Sequence, residues 1–307
     1  MKGIEIDDVR VTFRLPKLDI WAVDGVSAIF AGGRVTGLIG ESGCGKSVLG
    51  LALLGLLPPY ARVEGQMRLD GEALTPAKSR AMLGTRIGLI PQNPAESLNP
   101  ARTVAAHLRE ALLPMKLSRR ESDARARRLL ADFGFDDPAP ILRAYPHELS
   151  GGMQQRVLCA IGSACSPAWM LADEPTKGLD RDLRDQVRQT LGAMKSRGVS
   201  SMLVITHDLP LARGLCDGLA VMYAGQILEM GEDVLASPLH PYTRAFLDAL
   251  PENGFQAMNG IAPRAGERGL GCPFAPRCAR AMPKCHRNRP PAYAPKDGRR
   301  VRCFLYE

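Results

Sequence analysis

A glycine-rich segment in the first fifth of the chain has residues suited to binding phosphate. It reads G-E-S-G-C-G-K-S over residues 40–47 and follows the apolar run 35–39. Glycines let successive backbone N–H groups curl around a phosphate at the positive end of the next helix. Lys46 would reach the β- and γ-phosphates of a nucleotide, and the Ser47 hydroxyl would bind Mg²⁺. The residues predicted to contact the nucleotide here are Gly40, Glu41, Ser42, Gly43, Cys44, Gly45, Lys46 and Ser47.

Two adjacent carboxylates end another apolar run and could drive hydrolysis. Asp173 and Glu174 follow W-M-L-A at residues 169–172, a pattern typical of a buried strand. One carboxylate at such a strand end can hold Mg²⁺ through water, and its neighbour can polarise an attacking water as general base. The alternative interpretation is plain solvent-facing charge.

A third segment, L-S-G-G-M-Q-Q-R at residues 149–156, lies between the phosphate loop and these carboxylates. Ser150 begins a predicted helix whose exposed N–H groups and serine hydroxyl suit an anion. The order of the three segments resembles that of the ATP-binding-cassette (ABC) ATPases over roughly residues 1–235. In that family the third segment binds the γ-phosphate of ATP held by a second subunit, so the resemblance implies a partner ATPase.

The resemblance also implies a role for each residue that matches a family motif. Glu174 would activate the attacking water, His207 would contact the γ-phosphate, and Gln92 would contact Mg²⁺ and that water. Mg²⁺ would be held by Ser47, Gln92 and Asp173. Further contacts to the nucleotide or across the dimer would come from Ser150, Gly151, Gly152, Gln154 and Asp180. Every position carries the expected residue type, which predicts a site competent for ATP hydrolysis.

Apolar periodicity predicts the elements that must position these residues. Residues 3–13 alternate apolar and polar side chains and predict a strand, 14–20 a loop, and 21–30 a second strand. The resemblance implies that an aromatic residue in this region stacks on adenine, and both Phe13 and Trp21 are candidates.

The rest of the predicted core alternates strands with helices, and Ser118 with Glu121 forms a capping box. The predicted elements are strand 35–39, helix 47–57, hairpin 62–74, strand 86–90, helices 103–113 and 118–133, strands 169–174 and 204–208, and hairpin strand 225–231. The predicted fold class is α/β, and the resemblance implies a P-loop NTPase (RecA-like) ABC core with an antiparallel β subdomain. The resemblance implies a helical subdomain at about 95–165 and an extension over 236–307.

Charge and hydropathy restrict where the protein can work. Net charge is +8, and residues 251–307 hold eleven Lys/Arg against four Asp/Glu, a surplus of seven. A basic tail can meet nucleic acid, anionic lipid or an acidic partner. The longest apolar run, 48–57, is too short to span a membrane, which takes about 20 residues. The N-terminus predicts no secretory signal, so we expect at most a peripheral membrane subunit.

Half of the eight cysteines crowd into the last 36 residues, at Cys272, Cys278, Cys285 and Cys303. Without a predicted export signal, this pattern favours a metal site over disulfides. The spacing C-x5-C-x6-C-x17-C lacks the C-x2-C hook of a zinc finger. Four thiolates can satisfy either tetrahedral Zn²⁺ or a [4Fe–4S] cluster. Most of the other four cysteines are predicted to be small buried hydrophobic residues.

The tail identifies a branch of the family. H-P-Y-T at 240–243 and C-P-F-A-P-R-C at 272–278 resemble the C-terminal extension of the peptide and nickel branch of ABC importers. Resemblance to family members whose tail holds an iron–sulfur cluster favours [4Fe–4S] here, with Zn²⁺ or no metal as the alternatives. The resemblance implies two unlike ATPase subunits, two integral membrane permease subunits and an external solute-binding protein.

These observations predict an ATPase subunit that powers import of peptides, nickel or a metal chelate from the cytoplasmic face of the inner membrane. Two alternatives remain: a soluble ABC ATPase acting on nucleic acid, suggested by the basic tail, and an accessory ATPase without a transport role. Nucleic-acid ABC proteins usually carry two cassettes or a long coiled-coil or zinc-hook insertion. The chain has neither, so no nucleic-acid partner is expected.

Overall fold

A computed structural model gives the structure of the 307-residue chain. It describes residues 2–16, 18–196, 199–250, 254, 256–263, 269–295 and 298–307. The chain divides into two compact units. The first comprises Met1–Gly32, Thr36–Ser79 and Cys216–Glu307, and the second comprises Gly33–Val35 and Arg80–Leu215.

Strands and helices alternate through much of the described chain. The strands are β1 (Gly3–Leu15), β2 (Leu18–Ala31), β3 (Val35–Ile39), β4 (Ala61–Leu69), β5 (Glu72–Ala73), β6 (Ile87–Ile90), β7 (Trp169–Asp173), β8 (Ser201–Ile205), β9 (Gly218–Tyr223), β10 (Gln226–Gly231) and β11 (Arg300–Val301). The α-helices are α1 (Lys46–Leu54), α2 (Pro76–Met82), α3 (Pro94–Ser97), α4 (Val104–Ala111), α5 (Arg119–Asp132), α6 (Pro138–Arg143), α7 (Gly151–Gly162), α8 (Arg181–Ser196), α9 (Leu209–Leu215), α10 (Pro241–Asp248) and α11 (Pro283–Arg287).

The first unit contains an antiparallel sheet in the order β2-β1-β4-β5. The predicted loop at 14–20 is wrong for most of its length, because β1 runs to Leu15, β2 begins at Leu18, and these two residues pair; residue 17 lies outside the described residues. Opposite charges at Arg14 and Asp19 face each other across this pair, an arrangement that favours strand pairing. The sequence interpretation overlooked this cross-strand pair.

A second set of strands in the first unit carries the phosphate loop and the tail. β3 pairs in parallel with β9, β9 pairs with β10, and β10 pairs with β11 through Glu229 and Val301. All five residues of β3 are buried, as its continuous apolar sequence requires. The C-terminal segment is thus an edge strand of the sheet that positions the phosphate loop.

The second unit is built on three parallel strands, with β7 between β6 and β8. All five residues of β8 and the first four of β7 are buried. Helices α4, α5 and α7 pack on one another. The predicted capping box is present at the start of α5, where Ser118 Oγ accepts from Glu121 N and the Glu121 carboxylate accepts from Ser118 N.

The cysteines outside the tail agree in part with the prediction. Cys44 and Cys159 are buried, whereas Cys165 and Cys216 are half-buried. Desolvation raises the pKa of the Cys159 and Cys216 thiols to about 12, so both stay neutral at physiological pH. Across the residues that the structure describes, no helix is long and apolar enough to cross a membrane.

Candidate active site

The phosphate loop joins β3 to α1 in a conformation that only glycine tolerates at two positions. Gly40 has φ 150° and Gly45 has φ 106°. A Cβ atom on Gly40 would lie 2.0 Å from the carbonyl oxygen of Met222, and one on Gly45 would lie 2.2 Å from that of Ala22. Because both neighbours are backbone atoms, neither can move aside without a shift of the main chain. The G-x-x-x-x-G spacing of the loop therefore follows from close packing of main chain on main chain.

Lys46 is held inside the loop by main-chain carbonyls. Its Nζ donates to the carbonyl oxygens of Gly40 at 2.8 Å and Glu41 at 3.0 Å, and the residue is 6% exposed. The α1 helix begins at Lys46, after Gly45. The ammonium group thus lies beside the N-terminus of a helix, a combination that favours phosphate. Cys44 is buried, and burial raises the pKa of its thiol.

The strand next to the loop bears one of the two aromatic candidates. Trp21 precedes Ala22, whose carbonyl oxygen abuts Gly45. In the strand register Trp21 pairs with Thr12, so Trp21 and Phe13 lie on opposite faces of the sheet. The Phe13 ring contacts Tyr60 at a centroid distance of 6.0 Å. Both aromatics remain candidates for the adenine contact.

In the second unit, parallel pairing gathers the predicted catalytic residues at one edge of the sheet. Ile90 pairs with Ala172, and Ala172 pairs with Val204. Gln92, Asp173 and His207 follow these positions in sequence by two, one and three residues. Carboxyl ends of parallel strands meet at one edge, so this edge can hold groups for hydrolysis.

Glu174 and His207 are in direct contact at this edge. The Nδ1 atom of His207 lies 2.7 Å from Glu174 Oε2, and the His207 N–H points to the same oxygen at 3.4 Å. The Glu174 side chain is 10% exposed and that of His207 is 53% exposed. When Nδ1–H donates to the carboxylate, Nε2 of a neutral ring is an acceptor, and Nε2 can donate to a phosphate only when the ring is protonated. The contact fixes the orientation of the Glu174 carboxylate.

A polar link beside this pair was missed at the sequence level. Thr176 Oγ1 donates to Asp208 Oδ2 at 3.0 Å, and the other carboxylate oxygen accepts from Leu211 N at 2.9 Å. Asp208 thus ties the segment after Glu174 to the start of α9. An aspartate before a helix is a recognised N-cap signal, so the cap was predictable but the tie to Thr176 was not.

The L-S-G-G-M-Q-Q-R segment forms the start of α7. Ser150 is exposed and caps the helix, because its Oγ accepts from Met153 N at 3.3 Å. A Cβ on Gly152 would lie 2.4 Å from Leu183 of α8. The Gln154 amide nitrogen donates to the carbonyls of Pro146 and Leu149, so it fixes the turn that leads into the helix.

The dimer-contact candidate also has a local role. Asp180 is exposed, and its carboxylate accepts from Leu183 N at 2.9 Å, which caps α8. The predicted catalytic and nucleotide-contacting roles of the named residues remain predictions.

The four tail cysteines interact electrostatically without forming a metal-holding group. Desolvation and the neighbouring thiols Cys285, Cys303 and Cys278 raise the pKa of Cys272 to about 11. The Cys272 N–H donates to the carbonyl of Cys285 at 2.7 Å. In the described part of the chain, however, no three His, Cys, Asp or Glu side chains are arranged to hold a metal ion. The thiol chemistry fits Zn²⁺ or an iron–sulfur cluster, but this arrangement of the thiols does not support the predicted site.

Two segments of the chain match known families. Residues 23–177 match the ABC transporter family, and residues 228–285 match the C-terminal region of oligopeptide/dipeptide transporters. The chain belongs to the ABC transporter family. It has the ABC cassette fold and is an ATPase.

Similar proteins match along most of their own length. The oligopeptide transport ATP-binding protein AppD of Bacillus subtilis is 37% identical, over 99% of this chain and 97% of that protein. OppD of Salmonella typhimurium, also an oligopeptide transport ATP-binding protein, is 37% identical over 98% and 93%. The dimeric ATP-binding cassette MJ0796 bound to ADP and Pi has a TM-score of 0.66 at 25% identity, covering 75% of this chain and 98% of that one. A quarter of this chain thus lies outside the alignment with the solved cassette.

Proposed function

We propose that this protein is the ATP-hydrolysing subunit of a peptide importer, acting peripherally at the cytoplasmic face of the cell membrane. The observation that carries the proposal is the match of residues 228–285 to the C-terminal region of oligopeptide/dipeptide transporters. It is supported by AppD and OppD, which are oligopeptide transport ATP-binding proteins similar over nearly the whole chain. Nickel or a metal chelate is the second candidate solute.

The proposed chemistry assigns each cluster of residues a task. Lys46 and the loop N–H groups bind the β- and γ-phosphates of ATP. Ser47, Asp173 and Gln92 would hold Mg²⁺, which supplies charge neutralisation on the phosphates when bound. The Glu174 carboxylate, oriented by His207, accepts the proton of the attacking water.

The start of α7 implies a second ATPase subunit. Ser150 and the free N–H groups of the first turn would face the γ-phosphate of ATP bound by that subunit, so each site needs both chains. We propose that closure of the two ATPases on ATP moves two permease subunits, which receive solute from an external binding protein. A heterodimer is the expected form, and a homodimer is the alternative.

The test is reconstitution of the full complex in proteoliposomes, with its permease subunits, partner ATPase and binding protein. We expect ATP hydrolysis to rise several-fold when the binding protein carries a peptide, with peptide accumulating in the vesicle lumen. Stimulation by a nickel chelate but not by peptides would mean that the transported solute is the nickel chelate rather than a peptide. Failure of the chain to co-purify with any integral membrane subunit would contradict the importer role.

Charge pairing in the tail weighs against the nucleic-acid alternative. Arg277 and Arg289 pair with acids that lie outside the tail: Arg277 with Glu41, and Arg289 with Asp24 at 2.6 Å. Part of the positive surplus is therefore neutralised within the chain, which leaves fewer cations for phosphate backbones. Tight binding to duplex or single-stranded DNA that weakens steeply with salt would revive that alternative.

We also propose that Cys272, Cys278, Cys285 and Cys303 bind a [4Fe–4S] cluster, with Zn²⁺ as the alternative. Support comes from the thiol chemistry and from the neighbouring thiols, which help burial to raise the pKa values of Cys272, Cys278 and Cys303. Among the described residues the thiols are not arranged as a metal-binding group, so binding would require them to rearrange. No step of hydrolysis is assigned to the metal group.

A further inference from the structure

Two residues of the C-terminal region hold one residue of the phosphate loop. The Glu41 N–H donates to the Tyr242 hydroxyl at 3.0 Å. Arg277 Nη1 donates to both carboxylate oxygens of Glu41 at 3.1 Å each. Glu41 also accepts, at its carbonyl oxygen, from Nζ of Lys46 at 3.0 Å. A single loop residue therefore contacts the loop lysine and the extension together.

The Arg277 side of this contact is buried and makes several polar contacts. The Arg277 side chain is 7% exposed and that of Glu41 is 25% exposed. Nη1 of Arg277 also donates to the Tyr223 hydroxyl at 3.2 Å, and Nε donates to the carbonyl of Asn259 at 3.0 Å. A guanidinium group with this many fixed partners has little freedom to leave the carboxylate.

The Tyr242 side is equally fixed. Tyr242 is fully buried, and its ring contacts those of Tyr223 and Phe274 at centroid distances of 4.5 and 5.4 Å. The buried Glu229 carboxylate of β10 accepts from His240 N at 2.9 Å, and His240 caps α10. The Tyr242 hydroxyl is thus placed by a helix that is attached to the central strands of the first unit.

The charge on Glu41 explains why the contacts of Arg277 and Tyr242 with this residue matter for ATP binding. A carboxylate in a loop that binds a triphosphate repels the ligand, and burial strengthens the repulsion because the local dielectric constant is low. Arg277 neutralises this carboxylate and draws it toward the aromatic cluster. The Tyr242 hydroxyl fixes the backbone of the same residue, whose carbonyl oxygen receives the Lys46 ammonium group.

We propose that Arg277 and Tyr242 are positioning residues of the nucleotide site, so that the C-terminal extension helps to set the affinity of the phosphate loop for ATP. Arg277 keeps the Glu41 carboxylate from opposing the phosphates, and Tyr242 keeps the Glu41 main chain in the shape that receives Lys46. The inference rests on the proposed role of residues 40–47 as the ATP site. A purely structural clamp, which only fastens the extension, predicts a different outcome.

The test compares variants of the full-length chain in its assembled complex, by ATPase kinetics and titration with a fluorescent ATP analogue. We expect Arg277→Met to raise KM for ATP about tenfold with kcat within about twofold, because the lost interaction acts on ground and transition states alike. The rise should shrink in part at high salt, because the Glu41 side chain is 25% exposed and a partly buried charge is only partly screened. Adding Glu41→Gln to Arg277→Met should restore KM, since the opposing charge is gone.

Two further variants guard the interpretation. Tyr242→Phe removes one hydroxyl, keeps the ring packing, and should raise KM about threefold by loss of one hydrogen bond. Arg280→Met removes an exposed cation three residues further on and should leave KM unchanged. Unchanged KM in Arg277→Met and Tyr242→Phe would overturn the proposal. So would a raised KM that Glu41→Gln fails to restore in a variant with the wild-type melting temperature.

Failure of the ATP-site assignment itself would look different. Lys46→Ala should abolish binding of the fluorescent analogue if residues 40–47 form the nucleotide site. Normal binding of the analogue by Lys46→Ala would show that residues 40–47 are not the nucleotide site, regardless of the KM measured for Arg277→Met. Loss of binding in Lys46→Ala together with unchanged KM in Arg277→Met would leave the ATP site intact and reject only the role of the extension.

Discussion

At the scale of single residues, Glu174 has an unusual backbone that its contacts explain. Its φ of 47° lies in the left-handed region, which costs a non-glycine residue about 1–2 kcal/mol. The conformation is held by the Glu174 N–H, which donates to the carbonyl of Ile205 at 2.8 Å, and by the contact with His207. Strain of this kind tends to be kept where it directs a functional group. Here it turns a buried carboxylate toward the ring of His207.

The first prediction concerns this carboxylate. Glu174→Gln keeps the shape of the side chain but removes the base, so we expect ATP hydrolysis to fall by about 10²–10⁴-fold. ATP binding should persist, and the two ATPase subunits should stay together in a closed, ATP-bound dimer. Phosphate release and size-exclusion chromatography with ATP measure the two effects.

The matched control is Glu96→Gln, an exposed glutamate of α3 with the same change in charge. It should hydrolyse ATP at the wild-type rate. Normal turnover by Glu174→Gln would remove the general-base role from this residue. Loss of ATP binding in the same variant would instead indicate that Glu174 has a structural role in the site.

The site residues that the sequence predicted lie in local motifs, whereas those that it missed interact with residues far away in the sequence. Gly40, Gly45 and Lys46 lie in one short segment, and their spacing in the sequence is enough to predict the conformation of the loop. The Thr176–Asp208 link joins residues 32 apart, and the Arg277–Glu41 pair joins residues 236 apart. Their hydrogen bonds depend on which strands and helices become neighbours, and no local pattern carries that information.

At the scale of elements, two serine caps have the same geometry and different expected roles. Ser118 Oγ accepts from Glu121 N at the start of α5, and Ser150 Oγ accepts from Met153 N at the start of α7. Both distances are 3.3 Å. Each hydroxyl satisfies one N–H of a first helical turn, which otherwise lacks a partner inside the helix.

The second prediction uses this symmetry. Ser118→Ala and Ser150→Ala should each lower the free energy of unfolding by about 1 kcal/mol, the usual cost of losing an N-cap. Only Ser150→Ala should also lower ATP hydrolysis, by about tenfold or more, because its hydroxyl would contact the γ-phosphate across the dimer. Thermal denaturation and steady-state ATPase assays separate the two effects.

Wild-type ATPase activity in both Ser118→Ala and Ser150→Ala would mean that Ser150 serves only as a helix cap. Reduced activity in both would point to a general effect of helix stability on hydrolysis. Loss of activity in Ser150→Ala alone would support the shared site. This outcome would also support a partner ATPase, because α7 would then serve a nucleotide outside its own site.

Element boundaries were less predictable than element types. The helix expected over 47–57 ends at Leu54, because Gly55 adopts φ 67° and the N–H groups of Gly55 and Leu56 donate back to the carbonyls of Ala52 and Leu51. The β1–β2 hairpin continues through residues whose composition suggested a loop. In both cases apolar periodicity located the element, while a turn or cross-strand pair that periodicity does not report fixed its end.

At the scale of the whole chain, the C-terminal extension joins the first unit through charges as well as strands. Arg289 pairs with Asp24 of β2, whose side chain is 6% exposed, and β11 pairs with β10. A buried carboxylate is costly without a cation nearby. From composition alone, the surplus positive charge of the tail could meet several kinds of partner. Part of it is instead paired with acidic residues of the same chain. Only the folded chain shows which acids these cations meet.

The third prediction concerns the metal content of this extension. Anaerobic purification should give about four irons and four sulfides per chain with visible absorption, because four thiolates satisfy a [4Fe–4S] cluster. Cys272→Ser should lower the iron and sulfide content, since one ligand is lost. Cys165→Ser, in the second unit, should leave both unchanged. Metal analysis and the absorption spectrum measure these quantities.

The outcomes assign different roles to the four thiols. Zinc at one ion per chain would make the extension a structural clamp, because Zn²⁺ has no redox chemistry. Iron and sulfide would require the thiols to close around the cluster, so the tail should gain protection against proteolysis when loaded. Neither metal, in protein that still hydrolyses ATP, would mean that the aromatic cluster and the Arg277–Glu41 pair suffice to order the extension. The arrangement of the thiols in this structure would then be their working arrangement.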